Sequence, residues 1–314
     1  MSSHLIWERD GRDWPHRNAS SFVAAGGLRW HVQDMGAPLP PGPGRVPVLW
    51  LLHGTGASTH SWRALMPLLA THLHVIAADL PGHAFTAMPD TDEGSRHMSL
   101  PGMARAVSAL MHTMRLPPDL LVGHSAGAAV ALRMCLDGLV APQAVLSLNG
   151  ALLPLGGLAG RMFSPVAKLM AAAPFVPRLF ALHASDPAVL KRLLAGTGSV
   201  LDSTGQALYA RLVRNPGHAA GALAMMANWD LQALARDLPR LQTPLRMVVG
   251  TNDRTIPPAQ AQRVLALLPQ HPLTTVTALP GLGHLAHEER PDLVAQLVLG
   301  LARDTQLLRQ TSTL

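Results

Sequence analysis

A chain of 314 residues is long for one small domain and short for two full ones, which points to one domain carrying an insertion. Apolar residues make up 48% and charged residues only 14%, enough for a large core and more apolar than an ordinary soluble enzyme. The net charge of +6 comes mostly from scattered arginines, and with aromatics at 4% a nucleic-acid surface is excluded as the reading. A single cysteine, Cys135, rules out a disulfide framework and reads as a small buried hydrophobe. The first seventeen residues carry Glu8, Arg9, Asp10, Arg12 and Asp13 and lack the apolar stretch of a signal peptide. No apolar run reaches transmembrane length; the nearest, Ala144 to Gly160, is interrupted by Asn149, Gly and Pro. The expectation is a cytoplasmic chain, with the apolar excess leaving peripheral contact with the inner membrane open.

Phe22 to Ala25, Gly26-Gly27 and Leu28 to Gln33 predict a β-hairpin. Gly36 to Pro47 is a Pro/Gly-rich loop. Val48 to Leu52 is continuously apolar, as in a strand buried on both faces, and ends in His53-Gly54-Thr55-Gly56. A helix is expected over Thr59 to Ala70 and a strand over Leu73 to Ala78, followed by Asp79-Leu80-Pro81-Gly82-His83. Ser99 as N-cap with Pro101 in the first turn opens a helix to about Met114. Leu120 to Val122 and Ala144 to Leu148 are further strands.

From Gly150 to about Asn228 the pattern becomes helical, with starts near Ser164, Ser185, Thr204 and Pro216. Four of the fourteen methionines fall here, Met162, Met170, Met225 and Met226, and read as core. Leu245 to Val249 and Leu273 to Leu279 resume the strand pattern, with helices over Pro258 to Leu268 and Pro291 to Ala302. Alternating strands and helices predict the α/β class, with a mainly parallel sheet covered on both faces. Residues 1–149 and 229–314 form the core, and residues 150–228 form an inserted helical cap.

Gly123-His124-Ser125-Ala126-Gly127 lies between a strand and an Ala-rich helix, the setting of a nucleophile elbow. A serine alcohol needs an imidazole to take its proton and an acid to orient that imidazole. Asp253 follows the Leu245 strand and His284 follows the Leu273 strand. Strand C-termini are where an open α/β sheet gathers its active-site loops. Ser125, Asp253 and His284 are therefore the candidate triad. An oxyanion hole needs two backbone N–H groups, assigned to Ala126 and Thr55. His53 reads as a structural residue tying down its loop. Asp230 is a weaker alternative acid and better read as an N-cap. His284-Leu285-Ala286-His287-Glu288 has neither zinc-protease order, so no metal site is assigned and His287 is expected at a solvated helix start. No phosphate loop or dinucleotide fingerprint is present, and no cofactor is expected.

His53-Gly54, Asp79 to His83, the Ser125 pentapeptide, Asp253, Gly283-His284, Glu289 and Pro291 resemble the α/β-hydrolase superfamily over about Phe22 to Ala302. More closely, the chain resembles the magnesium-chelatase accessory proteins of bacteriochlorophyll biosynthesis in phototrophic bacteria. That resemblance rests on Asp13-Trp14-Pro15 with Gly26 to His31, Gly123 to Ala129, Ser147 to Leu152, and Met225 to Asp230. Two departures stand out: Ala84 where the superfamily often has a second glycine, and Ala126 where many relatives have Met. The triad residues imply a hydrolase of ester-type bonds in an apolar small molecule, and the resemblance adds a tetrapyrrole as candidate substrate and magnesium chelatase subunits as candidate partners. Two other readings stay open. One is a non-catalytic factor that binds a porphyrin for magnesium insertion, and the other is a general carboxylesterase outside pigment metabolism.

Overall fold

A computed structural model describes residues 4–36, 45–88, 97–154 and 175–309. Its strands are β1 (Ser20–Ala25), β2 (Leu28–Met35), β3 (Val48–Leu52), β4 (His74–Ala78), β5 (Leu120–His124), β6 (Ala144–Leu148), β7 (Leu245–Gly250) and β8 (Thr275–Leu279). They form one eight-stranded sheet in the order β1-β2-β4-β3-β5-β6-β7-β8. β2 pairs antiparallel with β1 and β4, and every pairing from β4 through β8 is parallel. The β1–β2 turn is made by Gly26 and Gly27, both at positive φ, as the hairpin signal predicted.

The helices in chain order begin with α1 (Trp7–Asp10), α2 (Leu65–Leu69), α3 (Leu100–Met114) and α4 (Ala126–Leu136). Between β6 and β7 come α5 (Val176–His183), α6 (Pro187–Ala195), α7 (Ser203–Val213), α8 (Pro216–Ala227) and α9 (Leu231–Asp237). The last three are α10 (Ala259–Leu265), α11 (Ala286–Glu289) and α12 (Pro291–Asp304). Among the described residues no strand lies between β6 and β7. The helix expected near Ser164, and with it Met162 and Met170, lies outside the described residues.

The buried strands alternate between two cores, as a period of two requires. Trp50, Leu52, Ile76 and Leu121 face a cluster completed by α3, α4 and α9. Leu49, Leu51, Val75, Val122 and Leu146 face one completed by α2 and α12. The sequence therefore reads as unbroken apolar runs because helices cover both sheet faces.

α3 starts where its cap signal placed it, with Ser99 Oγ accepting the Gly102 N–H at 3.2 Å. Asp230 caps α9 by accepting the Gln232 N–H at 2.8 Å, its better-supported reading. The single helix expected over Thr59 to Ala70 is instead a 3-10 turn at Thr59–Trp62 followed by α2. Pro67 explains the break, since a proline inside a continuous helix would clash with the carbonyl four residues back. Restarting at Leu65 puts it in the first turn, where no N–H is needed.

Strand register places the functional loops. Leu52 lies opposite Gly123, and His124 opposite Leu148, so the ends of β3, β5 and β6 are level. β3 has β4 on one side and β5 on the other, so chain order reverses there, the point at which open α/β sheets gather their functional loops.

Candidate active site

β5 ends at His124 and α4 begins at Ala126, leaving Ser125 alone to make the turn. Its φ of 52° and ψ of −117° lie outside the regions an L-residue prefers. The turn survives because its neighbours fix it. The Ser125 N–H donates to Leu148 O at 3.0 Å, and its carbonyl accepts from Ala128 and Ala151 N–H at 3.2 and 3.1 Å. A Cβ at Gly123 would overlap Ala128 backbone, and one at Gly127 would overlap the Leu52 and His53 carbonyls. The pentapeptide's two glycines thus let strand, helix and the loop after β3 meet.

That same loop carries Thr55. A Cβ on Gly54 would sit 2.9 Å from Ser125 Cβ, so the loop lies directly against the serine. Thr55 is half-buried, and its Oγ1 lies 3.3 Å from Met225 Sδ on α8. Ala126 is buried as the first residue of α4, where backbone N–H groups lack partners within the helix. His53 has the structural role expected of it. Its Nδ1 donates to Gly54 O at 2.8 Å, while Nε2 accepts the Leu80 N–H at 2.8 Å. Burial pushes its pKa down, in keeping with that neutral tautomer.

His284 and Asp253 are brought together. His284 Nδ1 lies 2.8 Å from Asp253 Oδ2, and both side chains are almost fully buried. The other carboxylate oxygen, Oδ1, accepts the Thr255 and Ile256 N–H groups at 2.7 and 2.9 Å. The His284 N–H donates to Thr197 O at 3.0 Å, which ties its loop to the stretch before α7. Among the described residues, no hydrogen bond joins Ser125 to His284 in this structure.

The imidazole of His284 sits beside two more histidines. The His124 ring lies 4.7 Å from His284 and 4.5 Å from His287. His124 Nε2 donates to the His284 carbonyl at 2.9 Å. Burial drives the His124 pKa well below its usual value and that of His287 down to about 3, so both are neutral. His287 corrects the sequence reading: it is 1% exposed and packs 4.6 Å from the Trp62 ring. Its short helix folds back against α2's approach, which a local polar pattern does not reveal.

Asn149 was missed as a site residue, although it lies in a stretch the resemblance used. Its Nδ2 donates to Asp253 Oδ2 at 2.7 Å. The signal was a polar residue directly after an apolar strand whose neighbour carries the acid. A deeper buried pair, His31 and Asp79 at 2.7 Å, anchors the surrounding loops, since Asp79 also accepts the Thr59 and Phe85 N–H groups. Cys135 is half-buried, and burial raises its thiol to about 11, so it is no nucleophile. Among the described residues no group of histidines, cysteines and carboxylates is arranged to hold a metal. No described helix is long and apolar enough to cross a membrane.

A family model described as the alpha/beta hydrolase family matches residues 51–297. The chain is 37% identical over 290 residues to a Rhodobacter capsulatus protein named magnesium-chelatase 30 kDa subunit, covering 91% of this chain and 95% of that one. It is 30% identical over 305 residues to the dihydrolipoyllysine-residue acetyltransferase component of the acetoin cleaving system of Pseudomonas putida, covering 93% and 72%. The crystal structure of an alpha/beta hydrolase fold protein from Burkholderia ambifaria superposes with a TM-score of 0.71 at 23% identity, covering 90% of this chain and 97% of that one. A largely parallel sheet with a serine turn after β5, together with a family match spanning most of the sequence, places the chain in the alpha/beta hydrolase family.

Proposed function

We propose that the protein is a cofactor-free serine hydrolase that cleaves an ester-type bond in an apolar substrate. The observation that carries this reading is the strained Ser125 turn at the same end of the sheet, beyond the strand C-termini, as the 2.8 Å His284–Asp253 pair. Ser125 Oγ attacks the substrate carbonyl while His284 Nε2 takes its proton. Asp253 holds the Nδ1–H of His284, leaving Nε2 as the base. The Thr55 and Ala126 N–H groups receive the oxyanion. His284 then returns the proton to the leaving alcohol, and water releases the acyl group by the same steps. The helices between β6 and β7 act as the cap, and Met225 brings an apolar side chain to the oxyanion loop.

The physiological substrate we infer belongs to bacteriochlorophyll biosynthesis, with a tetrapyrrole ester as the candidate. The support is the R. capsulatus relative, whose name ties it to magnesium chelatase. That name also favours a second reading, a subunit that binds a porphyrin without turning it over. A fluorophosphonate probe is expected to label the wild-type protein and leave Ser125→Ala unlabelled while the fold survives. Wild-type protein that stays unlabelled overturns the hydrolase reading. Porphyrin titrated in parallel separates the second, which requires tight binding to wild type and Ser125→Ala alike with no turnover.

A further inference from the structure

Asn149 follows β6 and is 1% exposed, with its backbone in the left-handed region at φ 47°. Asparagine tolerates that conformation better than most residues. Its N–H donates to Val248 O at 2.8 Å, so the residue is locked to the end of β7. The side chain then reaches Asp253 Oδ2, the same oxygen that takes His284 Nδ1. With the Thr255 and Ile256 N–H groups on Oδ1, every direction of approach to the carboxylate is specified.

The orientation of the Asn149 amide follows from charge. Only its NH2 can face a carboxylate, so Oδ1 must point away. Asn149 also lines a cavity of about 10 Å³, together with Ser147 and Gln260 among apolar neighbours such as Met247, Ile256 and Val264. Ser147, Asn149 and Gln260 are each more than nine-tenths buried. Ser147 Oγ, Asn149 Oδ1 and Gln260 Oε1 all lack a protein partner. Unpaired buried polar atoms are costly, and three on one cavity of this size match the space and the two to four partners of a single water.

We propose that Asn149 is a positioning residue for the Asp253–His284 pair, held in its orientation by one buried water shared with Ser147 and Gln260. The water donates to Asn149 Oδ1 and Gln260 Oε1 and accepts from the Ser147 hydroxyl. This rests on the reading of Ser125, His284 and Asp253 as a hydrolytic triad. The Asn149 N–H also draws charge off the carboxylate. Without it, Asp253 favours protonated His284 more strongly, and the carboxylate is freer to rotate.

The test uses full-length protein carrying Asn149→Leu or Gln260→Leu. The fluorophosphonate labelling rate is followed against pH, and the His284 imidazole is titrated by NMR. Asn149→Leu is expected to label about tenfold more slowly at neutral pH, less than the roughly hundredfold that a full 1 Å misplacement can cost. Its acidic limb and the His284 titration both move to higher pH. Gln260→Leu shifts both the same way by less, and a high-resolution crystal structure of the wild type shows density bonded to all three oxygens. An unchanged His284 titration in Asn149→Leu, with only a lower melting temperature, reduces Asn149 to a packing role and overturns the proposal. If Asn149→Leu does not fold, an unchanged titration in Gln260→Leu overturns it instead. Wild-type protein that does not label defeats the hydrolase reading, while the NMR titration still decides the role of Asn149.

Discussion

At φ 52° and ψ −117°, Ser125 carries a Cβ where the backbone tolerates one poorly, at a cost of roughly 1–3 kcal/mol. The surrounding hydrogen bonds to Leu148, Ala128 and Ala151 hold it there. Glycine removes the steric part of that cost but loses more chain entropy on folding, which offsets up to about 1 kcal/mol. Alanine keeps the Cβ and hence the strain. Ser125→Gly is therefore expected to be about 1 kcal/mol more stable than Ser125→Ala, although neither labels with a fluorophosphonate. Urea unfolding of the two variants checks this, and equal stabilities would mean that the turn stores no strain. Ala84 is another non-glycine residue at positive φ, 43°. It is held by its N–H donating to His218 Nδ1 at 3.0 Å, so a helix from the segment between β6 and β7 supports this loop.

That helix, α8, is the element that joins the segment between β6 and β7 to the site. His218 bonds Gly56 O at 3.1 Å as well as Ala84 N–H, and Met225 reaches Thr55. Between them, Gly221 lies so close to Gly82 that a Cβ would overlap the Gly82 carbonyl. Backbone cannot yield as a flexible side chain does, so Gly221→Ala must lift α8 off the loop. Overpacking of this kind costs about 1–3 kcal/mol, and here it also withdraws Met225 from Thr55. The expected result is a lower melting temperature together with slower Ser125 labelling. Gly300→Ala serves as the control. Gly300 lies in α12 with nothing near its would-be Cβ, and alanine there is expected to gain up to about 1 kcal/mol with labelling intact. Unimpaired labelling in Gly221→Ala would show that α8 does not position the site.

Elements whose signals are local were legible in the sequence. The Ser99 cap, the glycine hairpin, the apolar strands and the Ser125 turn each depend on a few neighbouring residues. The order of Ser125, Asp253 and His284 was legible because each follows a strand end. Asn149 and His287 were not, because their roles depend on residues about a hundred or more positions away, Asp253 and Trp62. Pro67 was in plain view, yet apolar periodicity outweighed the break it imposes. The buried polar atoms around Ser147 and Gln260 read as ordinary strand and helix residues until packing brought them to one cavity.

At the scale of the whole molecule, burial keeps six of the described histidines neutral. His53, His60, His83, His124, His218 and His287 all have lowered pKa values, each chiefly through burial. For His218 the value falls to about 4 and for His287 to about 3. The unfolded chain protonates its histidines near pH 6.5, whereas the folded chain resists protonation until those lower values. Between these limits the unfolded state binds more protons, so stability is lost as pH falls, by up to about 1.4 kcal/mol per pH unit for each such histidine. Glu288 works in the opposite direction. Burial raises it to about 7 against the pull of Arg63 and the Tyr209 hydroxyl, so the folded state holds its proton between about 4.5 and 7. Among the described residues one carboxyl opposes six histidines, so the free energy of unfolding is expected to fall steadily from pH 7.5 to 5.5. Glu288→Gln removes the opposing group and should steepen that fall. Urea unfolding of both proteins at pH 7.5, 6.5 and 5.5 measures the slopes. A wild-type stability that stays flat or rises on acidification would mean that the buried histidines take up protons without loss of the fold.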